Sequence, residues 1–364
     1  MAASKEEQRL EELGYRLDEE SLELRHIATA AGFQFVSQSH YECVGNALEI
    51  IVHQLMETKY GMERVELPSQ KCFVFLSKNA VKANELVILG CGAGKVADLI
   101  SGFVFISAGQ WARKLCINGS LKIGSVLPFL EWAHKRNIAI LVLNPNHASL
   151  KTESYFKNRR EHIISVWDNI CQKLPAKQLA IIAHSCGGYD AYELLKYREL
   201  EVLQRLKCIA FTDAGQSSYV KNLSCTSRMF VVQNCKEWVS SSMPLGTIIR
   251  TSSSEKKEIT SRKGYWCFSR SNTKLPPTKT DIGCVEISAG TASHAETTMK
   301  AFEEICRISH QKSSNQVEHS KLMHLFVEML AESVLKLLSL NFGKPLLCFR
   351  KAFILGPSLP HFAY

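Results

Sequence analysis

An apolar run that ends abruptly in a serine is the feature that most constrains the fold of this chain. Residues 179–188 read Leu-Ala-Ile-Ile-Ala-His-Ser-Cys-Gly-Gly, and a helix-like segment follows at 189–196. Strand, sharp turn and helix form the context of a nucleophile elbow, in which the strained turn requires small residues two positions before and after the serine. Ala183 and Gly187 occupy these positions around Ser185, although Ala183 replaces the first glycine of the usual G-x-S-x-G pattern. The segment predicts an elbow at Ser185, with an ordinary strand-to-helix turn as the alternative.

Fully apolar strands alternate with helical patterns along the rest of the chain. The predicted strands lie at 33–36, 72–76, 85–89, 138–143, 207–212 and 285–288, and the predicted helices at 41–60, 110–115, 128–135 and 162–171. Strands that are apolar on both faces are typical of a mostly parallel sheet between two layers of helices. The sequence therefore predicts an α/β fold.

Composition narrows the function classes only moderately. The 364 residues carry a formal net charge of +9, and the basic residues are mostly scattered, so no direct nucleic-acid site is indicated. The 13 cysteines have neither C-x-x-C nor Cys/His ligand spacing, so we expect reduced thiols, no metal centre and no cofactor. The opening residues, Met-Ala-Ala-Ser-Lys-Glu-Glu, do not resemble a signal sequence, which favours an intracellular protein.

Two further residues complete the order expected of a serine hydrolase. A serine needs a base to take its proton, and the base needs a carboxylate to hold its tautomer. In the α/β-hydrolase arrangement these groups occur along the chain as serine, acid and histidine. Asp213 lies 28 residues after Ser185, and His294 lies 81 residues after Asp213, both after predicted strands. Alternatively, Asp213 caps a loop and His294 is a surface histidine, with Asp281 and Glu286 as weaker acid candidates.

An oxyanion hole for such a site needs two backbone N–H donors. Cys186, the residue after the nucleophile, supplies the first donor. The glycine-rich loop at 90–94 follows an early strand and is expected to supply the second through Gly92 or Ala93. His184 adjoins the nucleophile, but neighbours at an elbow point apart, so we interpret it as a pocket wall or a structural residue.

The same glycine-rich loop also suggests a rival function. Residues 89–94 look like the first motif of methyltransferases that bind S-adenosylmethionine. By analogy with dinucleotide sites, an acidic residue is expected roughly 20 residues further on, but residues 103–121 contain no Asp or Glu. A phosphate-binding P-loop is excluded, because Gly90 is one residue too close to Gly94-Lys95 and Val96 replaces the required Ser or Thr. The methyltransferase is therefore the weaker alternative.

The ends of the chain differ from this α/β pattern. Residues 1–20 are predicted to be a charged N-terminal segment, residues 21–310 the α/β domain, and residues 311–364 an apolar C-terminal extension. Apolar residues at 322–338 recur at helical spacing, while charged residues occupy another face. Those charges argue against a membrane span and favour an amphipathic helix that packs or binds a partner. The Ser-, Lys- and Thr-rich residues 251–280 are predicted to form a loop.

A motif at 108–115, Ala-Gly-Gln-Trp-Ala-Arg-Lys-Leu, carries a resemblance to a known family. Further matching stretches occur in the same order at 24–27, 143–146, 166–168, 183–188, 212–213, 234–242 and 288–294. Together they resemble the second argonaute-binding-protein family (the Arb-two domain), in its animal cotranscriptional-regulator branch.

The resemblance implies an α/β-hydrolase-like fold, residence in the nucleus and cytoplasm, and partners among argonaute, chromatin and splicing proteins. Carried over by position, Ser185 is the nucleophile and His294 its partner histidine. The chain departs from the family in three places. Cys91 stands where the family has a histidine, extra residues at 96–107 separate the loop from the next motif, and the apolar tail after residue 310 has no counterpart. We interpret the chain as a diverged, pseudogene-like paralogue.

Two functional hypotheses follow from these observations. The leading one is a regulatory, protein-binding member of this family with weak or no hydrolase activity. The alternative is an active serine esterase or amidase that uses Ser185, Asp213 and His294. Covalent labelling of Ser185 by a fluorophosphonate probe distinguishes the two.

Overall fold

A computed structural model describes residues 5–67, 72–93, 107–148, 154–249 and 283–310. Among these residues, two strands form a small hairpin and nine form the central sheet. The strands are β1 Tyr15–Leu17, β2 Leu24–His26, β3 Met62–Leu67, β4 Cys72–Ser77, β5 Glu85–Gly90, β6 Ala139–Val142, β7 Gln178–His184, β8 Leu206–Thr212, β9 Lys236–Val239, β10 Ile248–Ile249 and β11 Val285–Ser288.

The central sheet has the strand order β3-β4-β6-β5-β7-β8-β9-β11-β10. The run from β6 through β5, β7, β8 and β9 to β11 is parallel, whereas β4 and the edge strand β10 are antiparallel to their neighbours. This mostly parallel order, with a reversed second strand and a central strand that ends in a sharp turn, is that of an α/β-hydrolase-like sheet. The predicted fold class is confirmed.

Helices cover both faces of the sheet. One apolar cluster contains side chains of the helices at 38–58, 127–134 and 302–310, and a second contains those of the helices at 155–169, 187–197 and 225–234. The helices are α1 Lys5–Glu12, α2 Gln38–Thr58, α3 Arg113–Asn118, α4 Leu121–Gly124, α5 Leu127–His134, α6 Pro145–Ala148, α7 Tyr155–Asn169, α8 Gly187–Tyr197, α9 Glu199–Leu203, α10 Ser217–Val220, α11 Cys225–Asn234, α12 Thr297–Lys300 and α13 Phe302–His310. None of the helices described is both long and apolar enough to cross a membrane.

Parallel register brings the ends of the central strands to one edge of the sheet. Gly90 at the end of β5 lies opposite Ala183 of β7, and His184 lies opposite Thr212 of β8. β11 pairs in parallel with β9, so it ends at the same edge of the sheet. Loops that follow β5, β7, β8 and β11 therefore emerge at the same edge, where ligands bind in open α/β sheets.

The secondary structure differs from the prediction in a few places. The predicted strand at 33–36 is wrong, because these residues pair with no strand and Phe33 instead stacks on the ring of His40, with 5.9 Å between centroids. The predicted helix at 110–115 begins later, at Arg113. The N-terminal segment contributes Leu10 and Tyr15 to the buried core. The predicted loop at 251–280 and the C-terminal extension lie outside the described residues.

Candidate functional site

Ser185 lies in a strained turn between β7 and α8. Its backbone φ is +52°, a region that non-glycine residues rarely adopt. The turn is fixed on both sides, since the Ser185 N–H donates to the Thr212 carbonyl at 2.9 Å and the Ser185 carbonyl accepts from the Gly188 N–H at 3.0 Å. Local strain of this kind persists only where surrounding structure determines it. The backbone thus has the elbow shape that the sequence predicts.

The two glycines after the elbow allow close approach of neighbouring elements. A Cβ at Gly187 would lie 2.5 Å from the Gly90 carbonyl oxygen, so no larger residue fits between the end of β5 and the start of α8. A Cβ at Gly188 would collide with Tyr219 and Ala214. The two glycines therefore allow neighbouring segments of the chain to approach the start of α8 closely.

Asp213 and His294 come together although 81 residues separate them. The His294 Nδ1 lies 2.7 Å from Asp213 Oδ2, and Asp213 Oδ1 accepts from the Ser240 N–H at 3.1 Å. Burial acts to raise the pKa of Asp213, but the hydrogen bond and charge of His294, together with Ser240, hold that pKa below its ordinary value. An ionised Asp213 accepts the Nδ1 proton, which leaves the Nε2 of His294 as the basic atom. This is the tautomer that a general base needs.

Glu237 holds the loop that carries Asp213, and sequence reasoning missed it. Its carboxylate is buried in β9 and accepts the N–H groups of Ala214, Gly215 and Gln216 at 2.7, 2.6 and 3.3 Å. Burial, followed by the charge of Glu286, raises the pKa of Glu237 to about 7. A charged residue within a short strand was the available signal, because a buried charge needs several partners.

His184 forms the wall behind His294. It is buried, its Nδ1 lies 3.2 Å from the hydroxyls of both Thr212 and Thr298, and its ring lies 4.9 Å from that of His294 between centroids. Burial lowers the pKa of His184 to about 3, and the adjacent His294 acts in the same direction. His184 is therefore a neutral ring against which His294 rests, in keeping with its interpretation as a wall.

The predicted oxyanion loop lies directly beside the elbow. A Cβ placed on Gly92 would lie 3.0 Å from the Cβ and 3.4 Å from the Oγ of Ser185. Within the described residues, the N–H groups of Gly92 and Ala93 donate no hydrogen bond. Cys186 is the N-cap residue of α8, and the dipole of a helix favours negative charge at its N-terminus. The three predicted donors thus belong to segments that meet at Ser185.

One contact of an active triad is missing from this arrangement. Among the described residues, Ser185 Oγ makes no hydrogen bond to His294, whose side chain is 54 % exposed. Catalytic hydrogen bonds are often long in unliganded enzymes and tighten when substrate binds. The roles of Ser185, Asp213 and His294 therefore stay predictions.

Comparison with known proteins identifies the family. A profile described as the Arb2 domain matches residues 6–160 and 152–245, more than half of the chain. The chain belongs to the Arb2 domain family. Both matched ranges lie in the α/β part of the chain, and the second contains the elbow and Asp213.

Relatives from distant organisms match over most of their length. The chain is 28 % identical to a cotranscriptional regulator ARB2A homolog of Xenopus tropicalis, over 78 % of this chain and 75 % of that protein. It is 30 % identical to the homolog of Dictyostelium discoideum, over 65 % of this chain and 70 % of that protein. A FAM172 family protein homolog of Caenorhabditis elegans is 32 % identical, over 62 % and 71 %.

Likeness to solved structures is partial. A histone deacetylase from Saccharomyces cerevisiae covers 76 % of this chain and 98 % of its own at a TM-score of 0.46 and 14 % identity. A Pyrococcus furiosus esterase covers 50 % of this chain and 72 % of its own at a TM-score of 0.28 and 10 % identity.

Proposed function

We propose that this protein is a regulator of cotranscriptional gene control, built on a hydrolase scaffold that retains weak hydrolase activity or none. Relatives named cotranscriptional regulators support the regulatory role. That role requires residence in the nucleus, and the family resemblance adds the cytoplasm. The proposed partners are argonaute, chromatin and splicing proteins.

The Asp213–His294 hydrogen bond beside the strained Ser185 is the observation that carries the chemical part of the proposal. Surface histidines rarely acquire an ionised, half-buried carboxylate on Nδ1 by chance, and the backbone strain at Ser185 calls for a function. A site with this geometry binds a carbonyl or phosphoryl group near Ser185. Whether this site hydrolyses a substrate depends on whether Ser185 Oγ and His294 form a hydrogen bond.

A fluorophosphonate probe tests the site, because the reagent phosphonylates a serine only where a base and oxyanion donors assist. Slow labelling of the full chain that is lost in Ser185→Ala supports a weak site. The matched control is Ser218→Ala, an exposed serine at the start of α10, and it should label like the wild type. Labelling that survives in Ser185→Ala contradicts the assignment of Ser185.

Partner capture tests the regulatory part separately. Tagged wild type and Ser185→Ala should recover argonaute and splicing proteins equally from nuclear extract, since the proposal separates binding from chemistry. Failure of both to recover any of these proteins contradicts the partner assignment.

The second candidate is an active serine esterase or amidase, favoured by the intact acid–histidine pair. It predicts turnover of short activated esters that is abolished by Ser185→Ala and by His294→Ala. Rapid labelling together with measurable turnover would select this candidate over the regulatory one.

A further inference from the structure

We propose that Arg159 is a positioning residue that orients the oxyanion donors beside Ser185 by holding the backbone carbonyls of the loop after β5. The inference rests on the proposed hydrolase-type site. It concerns a residue that belongs to α7 and that no motif of the sequence singles out.

Arg159 is fully buried and its guanidinium donors are all engaged. The Nε and one terminal nitrogen contact the two Asp190 carboxylate oxygens at 2.8 and 2.5 Å. The same terminal nitrogen donates to the Cys91 carbonyl at 2.9 Å. The other donates to Asn146 Oδ1 at 3.0 Å and to the Tyr155 hydroxyl at 2.9 Å, and lies 3.4 Å from the Gly92 carbonyl. The planar guanidinium of an arginine, with its five N–H donors, matches this set of acceptors.

These contacts fix the direction of two peptide planes. The chain has no cis peptide bond in its described part, so each carbonyl points opposite to the N–H that follows it. The Cys91 carbonyl points to Arg159, and the Gly92 carbonyl accepts from Asn146 Nδ2 at 3.0 Å as well as facing Arg159. The N–H groups of Gly92 and Ala93 are therefore turned away from Arg159. Gly92 lies beside the nucleophile, since a Cβ added to it would be 3.0 Å from the Cβ of Ser185. The proposal places the two N–H groups on the side where charge develops in a reacting substrate.

Asp190 connects this support to the nucleophile. It lies in the first turn of α8, the helix that begins directly after the elbow. The Arg159–Asp190 pair thus ties the oxyanion loop and the elbow helix to the same buried guanidinium. A small error in donor position is enough to lose most of the transition-state stabilisation, which is why a rigid support matters here.

The test replaces the whole ion pair, because removing one partner leaves an unpaired buried charge that destabilises the fold. The double variant Arg159→Met/Asp190→Leu keeps similar volume without charge. Its matched control is Arg198→Met/Asp168→Leu, since Arg198 and Asp168 also form a bidentate pair, at 2.8 and 2.7 Å, between the ends of α8 and α7. Neither control residue contacts the oxyanion loop.

Two readouts are needed. The first is the fluorophosphonate rate constant at saturating probe, which should fall about 10²-fold in the Arg159/Asp190 variant, as for loss of an oxyanion donor. Probe affinity before reaction should be unchanged. The second is amide hydrogen exchange of the peptide that contains Gly92 and Ala93, which should become faster. The control pair should change neither quantity.

The outcomes separate this inference from the proposed function. Suppose that wild type labels at Ser185. Arg159 does not orient the donors if the Arg159/Asp190 variant keeps the wild-type rate constant, or if its rate constant falls while amide hydrogen exchange of the loop peptide is unchanged. If wild type does not label at all, the esterase or amidase candidate fails, while the regulatory proposal stands. The exchange measurement then decides the loop support alone, and unchanged exchange overturns it.

Discussion

Replacement of Gly187 by alanine tests whether the contact between β5 and α8 determines the geometry of the site. An alanine Cβ at this position would lie 2.5 Å from the carbonyl oxygen and 2.9 Å from the carbonyl carbon of Gly90. Both atoms belong to the backbone of a central strand, so they cannot rotate away as a side chain can. The end of β5 and the start of α8 must separate to admit the methyl group.

The size of the effect follows from that geometry. Overfilling a close-packed interior typically costs about 1–3 kcal/mol, and we expect the upper end, about 3 kcal/mol, because only backbone atoms can yield. Since the same separation moves Gly92 relative to Ser185, fluorophosphonate labelling should fall about 10²-fold.

The assay is urea unfolding followed by circular dichroism, with labelling measured on the folded protein. Gly32→Ala is the matched control, because a Cβ at Gly32 meets nothing within 4 Å and its φ is not positive. It should unfold within about 0.5 kcal/mol of wild type. The reasoning is refuted if Gly187→Ala is equally stable, or if it is destabilised but labels Ser185 at the wild-type rate.

Three further predictions concern the site and its surroundings. Asp213→Asn should leave stability nearly unchanged but lower the labelling rate at Ser185 by up to about 10⁴-fold, because Asn favours the wrong histidine tautomer; a wild-type rate would contradict the assigned acid. Gly92→Ala should abolish labelling without unfolding the chain, because its methyl group would lie 3.0 Å from the Cβ and 3.4 Å from the Oγ of Ser185. Labelling and thermal unfolding check the two parts of this prediction. Burial, aided by Arg159, lowers the pKa of His162 to about 3. In the unfolded chain this pKa is about 6.5, so below that pH the unfolded chain binds a proton that the folded chain does not, and the free energy of unfolding falls. Between pH 7.5 and 5.5, wild type should lose about 1.4 kcal/mol more than His162→Gln in urea unfolding, and equal losses would contradict the neutral, buried state of this histidine.

The elbow could be predicted from sequence because its requirements are local. A strained turn between a strand and a helix requires small residues two positions before and two positions after the serine, and Ala183 and Gly187 satisfy that rule. The mostly parallel sheet could be predicted because its central strands are apolar runs that are buried on both faces. Asp213 and His294 were candidates because each follows a predicted strand, and the ends of parallel strands lie at the same edge of the sheet.

Residues whose partners come from distant segments could not be predicted in this way. Arg159 lies in an amphipathic helix, where an arginine normally indicates the solvent face. It is buried because Asp190 and the carbonyl of Cys91 converge on it from two other elements. The strand β9 was missed for a related reason, since its Glu237 breaks the apolar run and is satisfied only by the loop after Asp213.

Two departures from the family lie beside the predicted oxyanion loop. Cys91 stands in place of a histidine, and extra residues follow at 96–107. The loop is held through the main-chain carbonyls of Cys91 and Gly92, and the Cys91 thiol adds one contact, since its Sγ accepts from Asn146 Nδ2 at 3.7 Å. Burial raises the pKa of the Cys91 thiol to about 11, which keeps it neutral and unreactive there. Among the described residues, Ser185 Oγ and His294 share no hydrogen bond, and proton transfer between them requires that this contact form when substrate binds.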